Sequence, residues 1–346
     1  MTIAFGIFDH MEQRHDIALD QLYRERLELV ALADRLGFWG YHLAEHHQAP
    51  LSVAPSQNVF LAAAAQRTER IQLCPLVYCL PFYHPIRLIE EIAMLDNLSG
   101  GRLQVGVGRG ISGLEHRFWG NDPDVASQRF AEEFDILVRG LTNDRLTHHG
   151  AYHDFDDLPM VLRPKQRPYP PFWYPGNLEY AARRGLNYLG GGPLKSLPAQ
   201  AARYYEVSAA HRGAADRLNP HVPEPKVGVV KVVLVADTDA EAEAIARRAF
   251  KVRAANWPKP GYDEDGLTGA ARPGFVHPSF GGDFDLATKV EALVTGSPET
   301  VRGQVKAFAE ESGMNYFVGA FQWGDLSDAE AAHSLELFAT KVMPGR

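Results

Sequence analysis

Cysteine is scarce: the 346 residues hold two, Cys74 and Cys79. Two thiols cannot build a disulfide framework or fill a structural zinc site, and their C-x4-C spacing is not the C-x-x-C of a redox pair. The expectation is two buried free thiols in a reducing, cytoplasmic setting. Long apolar runs are missing too. The most apolar one, Val227–Ala236, is ten residues and contains Lys231, too short to span a bilayer. Asp9, Glu12, Arg14 and Asp16 come too early for a secretory leader. Positive charge is in deficit, with 35 Lys and Arg against 43 acids and a net charge of −8. That balance argues against nucleic acid or an anionic membrane as the main partner. It leaves room for a small anionic ligand held by one or two cations.

What is present is ordinary globular material, 45% hydrophobic and 23% charged, with no internal repeat and no low-complexity tract. Short β-rich runs alternate with amphipathic helical ones almost from end to end. Ile3–Phe8, Trp39–Ala44, Ile71–Val77, Leu103–Val107, Phe172–Tyr174, Tyr188–Leu189, Val227–Ala236 and Tyr316–Phe321 read as strands. Helical spacing appears in Leu22–Leu36, Ser56–Arg67, from Pro85 onward, and in Ala126–Leu141, Leu178–Arg184 and Pro198–Arg212. Leu146–Phe155 reads as a small β excursion. Thr238 with Glu241 and Ser327 with Glu330 fit capping boxes, and Ser297-Pro298 suits a helix start. Strands alternating with helices imply parallel pairing, and eight of them favour closure into a (β/α)8 TIM barrel over an open sheet. The expected organisation is one domain over residues 1–346. The Gly/Pro-rich residues 256–289 read as a mobile loop inserted late in the barrel.

In such a barrel, chemistry sits where strands end. The second strand ends in His42-Leu43-Ala44-Glu45-His46-His47. His42-x-x-Glu45-His46 matches an inverted zincin motif, but in a strand positions i and i+4 lie about 13 Å apart, too far to share one zinc. Neighbouring His46 and His47 point to opposite sides if the strand continues, so at most one of them faces the barrel mouth. Both also fit structural histidines in a polar loop. The fourth strand runs into Gly108-Arg109-Gly110-Ile111-Ser112-Gly113, a formal G-x-G-x-x-G. The strand is not the first of a series, and the bulky Leu114–Gly120 follows, so a dinucleotide fold is a poor reading. Glycines that bring backbone N–H groups near an anion, with Arg109 gripping a phosphate, fit better. A tight turn with a solvated arginine fits as well. Tyr174-Pro175-Gly176-Asn177 leads straight into a helix and is a second phosphate cradle or an ordinary capped turn.

Four segments carry a family likeness: LAEHH at 43–47, YHPIRLIEEIAMLDNLSGGRLQVGVGRG at 83–110, GSPET at 296–300 and SLELFATKVMP at 334–344. In this order they resemble the bacterial luciferase-like flavin-dependent monooxygenases over essentially the whole chain. The resemblance implies a barrel, commonly a homodimer, that uses FMN as FMNH2 with O2 to oxygenate a small organic substrate such as a carbonyl compound. It assigns the catalytic histidine to His46. Around the flavin it places Glu45, Leu76 and Val77, the last two joined by a non-prolyl cis peptide in many members. Gly108 and Arg109 fall at the phosphate, and Gly176 and Asn177 at the second cradle. A separate flavin reductase is the implied protein partner. Bacterial luciferase carries a cysteine at the Gly108 position and an aromatic residue at the Gly192 position, and its phosphate loop is longer. Those departures argue against light emission and a long-chain aldehyde. The alternatives are a deazaflavin-dependent dehydrogenase on the same barrel and a non-catalytic, flavin-binding partner subunit.

Overall fold

The computed structural model describes residues 3–256 and 284–343. Twelve strands are found in them. β1 (Ala4–Asp9), β2 (Gly40–Leu43), β3 (Gln72–Pro75), β9 (Tyr188–Gly190), β10 (Val227–Val235), β11 (Leu293–Gly296) and β12 (Tyr316–Ala320) form one parallel sheet in the order β11-β10-β12-β1-β2-β3, with β9 also on β10. β4 (Tyr78–Cys79), β5 (Val105–Gly108) and β8 (Phe172–Trp173) form a second parallel set. Single bridges, Leu73 to Leu103 and Trp173 to Asn187, run from β3 towards β5 and from β8 towards β9. The result is an α/β fold around a curled parallel sheet. β6 (Arg145–His149) and β7 (Asp154–Pro159) make the separate antiparallel hairpin that the β excursion foreshadows.

Helices alternate with these strands: α1 (Leu19–Arg35), α2 (Gln57–Ala65), α3 (Pro85–Leu98), α4 (Gly113–Phe118), α5 (Ala126–Thr142), α6 (Leu178–Arg184), α7 (Leu197–Ala210), α8 (Asp239–Asn256), α9 (Phe284–Lys289), α10 (Pro298–Glu311) and α11 (Asp328–Leu337). Local chemistry sets several boundaries. Ser327 and Glu330 complete a capping box at α11. Pro85 opens α3, where its missing N–H costs nothing. Gly185 at φ 71° ends α6 in a left-handed conformation that suits glycine. Among the described residues no helix is long and apolar enough to cross a membrane.

The pleat sorts side chains between two layers. On β12, Tyr316 and Val318 join Cys74, Leu76, Trp173 and Leu189 inside the curl. Phe317 points the other way, onto Phe308 of α10 and Phe338. Tyr316 fits because β1 and β2 carry glycine beside it: a Cβ on Gly6 would lie 2.0 Å from its hydroxyl oxygen, and one on Gly40 2.9 Å.

Two expectations need correction, and one strand was missed. Ile71–Val77 is not one strand, because a cis Leu76–Val77 peptide separates β3 from β4. β11 went unforeseen; its four residues follow a Gly/Pro-rich stretch and do not alternate. The expected loop over 256–289 is a helix at both margins, since Asn256 closes α8 and Phe284–Lys289 is α9. Its remaining residues, 257–283, lie outside the described part of the chain.

Candidate active site

β2 delivers the EHH segment to the C-terminal edge of the sheet, where the two histidines separate. His46 lines a cleft of roughly 590 Å³, and its Nδ1 lies 3.3 Å from Glu115 Oε1. His47 turns to Glu45, with Nε2 3.0 Å from Oε1, and sets its ring edge-on to Phe82 and Trp119. Glu45 is buried and also accepts from the Tyr83 hydroxyl at 2.7 Å and the Cys79 N–H at 3.3 Å. Burial still raises its carboxyl above the ordinary carboxylate range. Glu45 therefore supports the segment from behind.

Glu115 comes from α4. Ser112 caps that helix by accepting the Glu115 N–H at 3.2 Å. The pattern S-x-x-E would ordinarily return the glutamate to the cap. Here its carboxylate instead accepts the His47 N–H at 2.8 Å and faces His46. One buried carboxylate thus fixes the backbone of one histidine and the ring of the other.

Beside the EHH segment the wall continues as the cis Leu76–Val77 turn, whose Leu76 N–H donates to Leu43 O at 2.7 Å, against β5. A Cβ on Gly106 would come within 2.5 Å of Pro75 O, and one on Gly108 within 2.6 Å of Val77 Cγ2. Glycine at both positions lets the strand pass flush against the turn. Arg109 follows, half-buried in the cleft, and has no carboxylate ion-pair partner among the described residues. Tyr174, Pro175, Gly176 and Asn177, just past β8, the neighbour of β5, line the same cleft. The Asn177 Oδ1 caps α6 through the Tyr180 N–H at 2.9 Å.

Glu45, His46, Leu76, Val77, Gly108, Arg109, Gly176 and Asn177, the residues singled out from sequence, all line this one cleft. A second chamber of roughly 480 Å³ continues from it, sharing Phe8, His10, Leu76, Ile111, Pro175 and Gly176. Its far wall includes Tyr188, Leu189, Val230 and Arg253. Arg253 forms a buried ion pair with Glu12, whose second oxygen accepts the Gly324 N–H at 2.9 Å.

Two residues of the site escaped the sequence reading: Glu115 and His10. His10 sits just past β1, 6% exposed, with its ring stacked 5.8 Å from that of His46. Burial holds its pKa well below the usual histidine value, helped by the charges of Arg253 and His46. A neutral imidazole there can donate or accept a hydrogen bond but carries no charge at neutral pH. Strand-end position alone, the rule that singled out His46, would have found it. His42 belongs elsewhere. It shares a 2.7 Å hydrogen bond with the Tyr316 hydroxyl inside the curl, and burial lowers its pKa to about 3. His42 lies on β2 and His46 three residues past its end, and the two face different partners.

Comparison with known proteins agrees with this layout. Residues 3–316 match the family model described as luciferase-like monooxygenase. The uncharacterized protein y4wF of Sinorhizobium fredii is 36% identical, over 94% of this chain and 92% of its own. Limonene 1,2-monooxygenase of Rhodococcus erythropolis is 28% identical over 99% of this chain and 86% of its own. The oxygenase component of the flavin-dependent trigonelline monooxygenase of Acinetobacter baylyi is 29% identical over 70% and 68%. Among solved structures, monooxygenase RslO1 of Streptomyces bottropensis superposes with a TM-score of 0.84 at 25% identity, covering 99% of both chains. The oxygenating constituent of 3,6-diketocamphane monooxygenase of Pseudomonas putida, in complex with FMN, has a TM-score of 0.78 at 20% identity, over 99% and 98%. An F420-dependent secondary alcohol dehydrogenase has the same fold, with a TM-score of 0.72 at 18% identity, over 99% and 98%. The chain belongs to the luciferase-like monooxygenase family of flavin-dependent oxidoreductases.

Proposed function

We propose that the cleft binds reduced FMN and O2 and oxygenates a small organic substrate, such as a carbonyl compound, that enters the second chamber. The observation that carries this reading is the make-up of the cleft: Arg109, with no carboxylate partner among the described residues, and the His46–Glu115 pair line the same cavity. An anionic phosphate fits beside Arg109, where the planar guanidinium offers a charge-assisted fork. Gly108, Gly176 and Asn177 supply close backbone approach and polar contacts beside it. The apolar Leu76–Val77 turn suits an aromatic ring system. The flavin supplies the oxygen chemistry when bound; the protein's part is to orient it, exclude water and move a proton at the His46 ring. His46 lines the cleft with Glu115 at its Nδ1, and its ring is the group proposed to exchange the proton.

Three further expectations belong to this reading. The bridges Leu73–Leu103 and Trp173–Asn187 support closure of β1, β2, β3, β5, β8, β9, β10 and β12 into a (β/α)8 barrel, with β11 as an extra strand on β10. The oxygenase component among the relatives supports a separate reductase that delivers FMNH2. A homodimer is the assembly that the family likeness implies. A deazaflavin-dependent dehydrogenase is the second reading, favoured by the shared fold of the F420-dependent dehydrogenase. Oxygen consumption with FMN, a flavin reductase and a panel of carbonyl substrates tests the first reading. Substrate-dependent uptake supports it; F420 reduction by an alcohol without oxygen uptake replaces it with the second.

A further inference from the structure

Six residues line both the cleft and the second chamber: Phe8, His10, Leu76, Ile111, Pro175 and Gly176. They come from four different strand ends, those of β1, β3, β5 and β8. Ile111 stands apart from the rest. It is 57% exposed, although Gly110 before it and Ser112 after it are buried. Gly110 takes φ 80° and Ser112 caps α4 through the Glu115 N–H, so the backbone on either side is fixed. Exposed apolar side chains are ordinary on an open surface, but this one lines two cavities, so what covers it is an occupant.

The chamber beyond is largely apolar, with Tyr188 and Leu189 on β9, Val230 and Val232 on β10 and Ala320 at the end of β12. Among the described residues no carboxylate lines it. Its two cations are engaged by the protein, Arg253 with Glu12 and Lys231 with Gly192 O at 2.8 Å and Glu291 O. Of the six boundary residues His10 alone has a polar side chain, and burial keeps it uncharged. Such a lining suits a neutral molecule with an apolar body and a single polar group. We propose that Ile111 is a specificity residue: the second chamber takes the apolar body of an uncharged substrate, and the Ile111 side chain, packed against that body, limits its bulk. This rests on the oxygenase reading above and adds to it a substrate class and a selecting residue.

The test uses the FMN-loaded protein and ketones of rising bulk: cyclopentanone, cyclohexanone and 2-adamantanone. Binding is read from the perturbation of the oxidised flavin spectrum, and turnover from oxygen uptake with a flavin reductase. Ile111→Ala is expected to lower the dissociation constant for 2-adamantanone relative to cyclopentanone by about tenfold, the usual scale for small changes at an apolar wall. Ile111→Trp is expected to raise that ratio, and the FMN dissociation constant stays unchanged in both variants. The same ratio in wild type and both variants overturns the role of Ile111. Tighter binding of 4-oxocyclohexanecarboxylate than of cyclohexanone, or no spectral response to any ketone, overturns the substrate class and leaves FMN binding standing. Failure of FMN to bind at all overturns the flavin reading itself, and the specificity role with it.

Discussion

Glu115 Oε1 lies 3.3 Å from Nδ1 of His46, and Glu115 is 1% exposed. A buried carboxylate at one ring nitrogen orients the imidazole, selects the tautomer with Nδ1 protonated and stabilises the cation when Nε2 takes up a proton. Glu115→Gln keeps the shape and loses the charge. It is expected to lower kcat while leaving the flavin dissociation constant near wild type, as measured by steady-state kinetics and equilibrium titration. Equal loss in both would make Glu115 a purely structural residue.

His46→Ala is expected to lower turnover by about 10²- to 10⁴-fold, the usual loss with a general acid or base. His47→Ala is expected to act through stability, because that ring packs on Phe82 and Trp119 and holds Glu45. Single-turnover oxidation of both variants with FMNH2, O2 and a working substrate separates them. Wild-type rates in His46→Ala beside a slow His47→Ala would move the role to the neighbour.

The positions of these two histidines also show how far sequence carries. His46 was legible because strand-end position and the LAEHH likeness agree on it. Glu115 was not: Ser112-x-x-Glu115 is a helix-start signature, and only tertiary structure turns its carboxylate towards the EHH segment. His10 lacked a motif around it. Helices with strong caps, such as Leu178–Arg184 and the one opening at Pro85, could be placed closely from their ends. β4 and β11 could not, because the Leu76–Val77 turn interrupts what reads as one apolar run and Leu293–Gly296 follows a Gly/Pro-rich stretch without alternating. The curl of the sheet follows from element order. Which residues share its interior depends on pleat and register, so the packing of Tyr316 against Gly6 became visible only in three dimensions.

The His42–Tyr316 pair predicts acid sensitivity. His42 titrates at about 3 in the fold because of burial, against about 6.5 in an unfolded chain. As pH falls below 6.5 the unfolded chain takes up the proton first, so stability falls until the folded pKa is reached. The contribution lost between pH 7 and pH 5 is roughly 2 kcal/mol. Urea unfolding at the two pH values should show a smaller loss in His42→Gln than in wild type. An identical loss would assign the sensitivity to other groups.

Gly6→Ala is expected to destabilise the fold by about 1–3 kcal/mol through overpacking. Its Cβ would fall 2.0 Å from the Tyr316 hydroxyl oxygen, and the Gly40 carbonyl 3.1 Å away limits retreat. A drop in urea midpoint without a change in slope is the expected observation. An unchanged midpoint would show that Tyr316 can shift freely, against the packing inside the curl.

The central claim, that this cleft is an FMN site with its phosphate on Arg109, is tested most directly by an anaerobic titration of wild-type and Arg109→Ala protein with FMNH2, alongside reduced coenzyme F420. If Arg109 makes a charge-assisted bond of ~1.5–3 kcal/mol, its loss raises the FMNH2 dissociation constant roughly ten- to a hundredfold. The prediction is saturable FMNH2 binding to wild type, that weakening in the variant, and weaker binding of F420 to wild type. Tighter binding of F420 than of FMNH2, or an FMNH2 constant unchanged by Arg109→Ala, would contradict it.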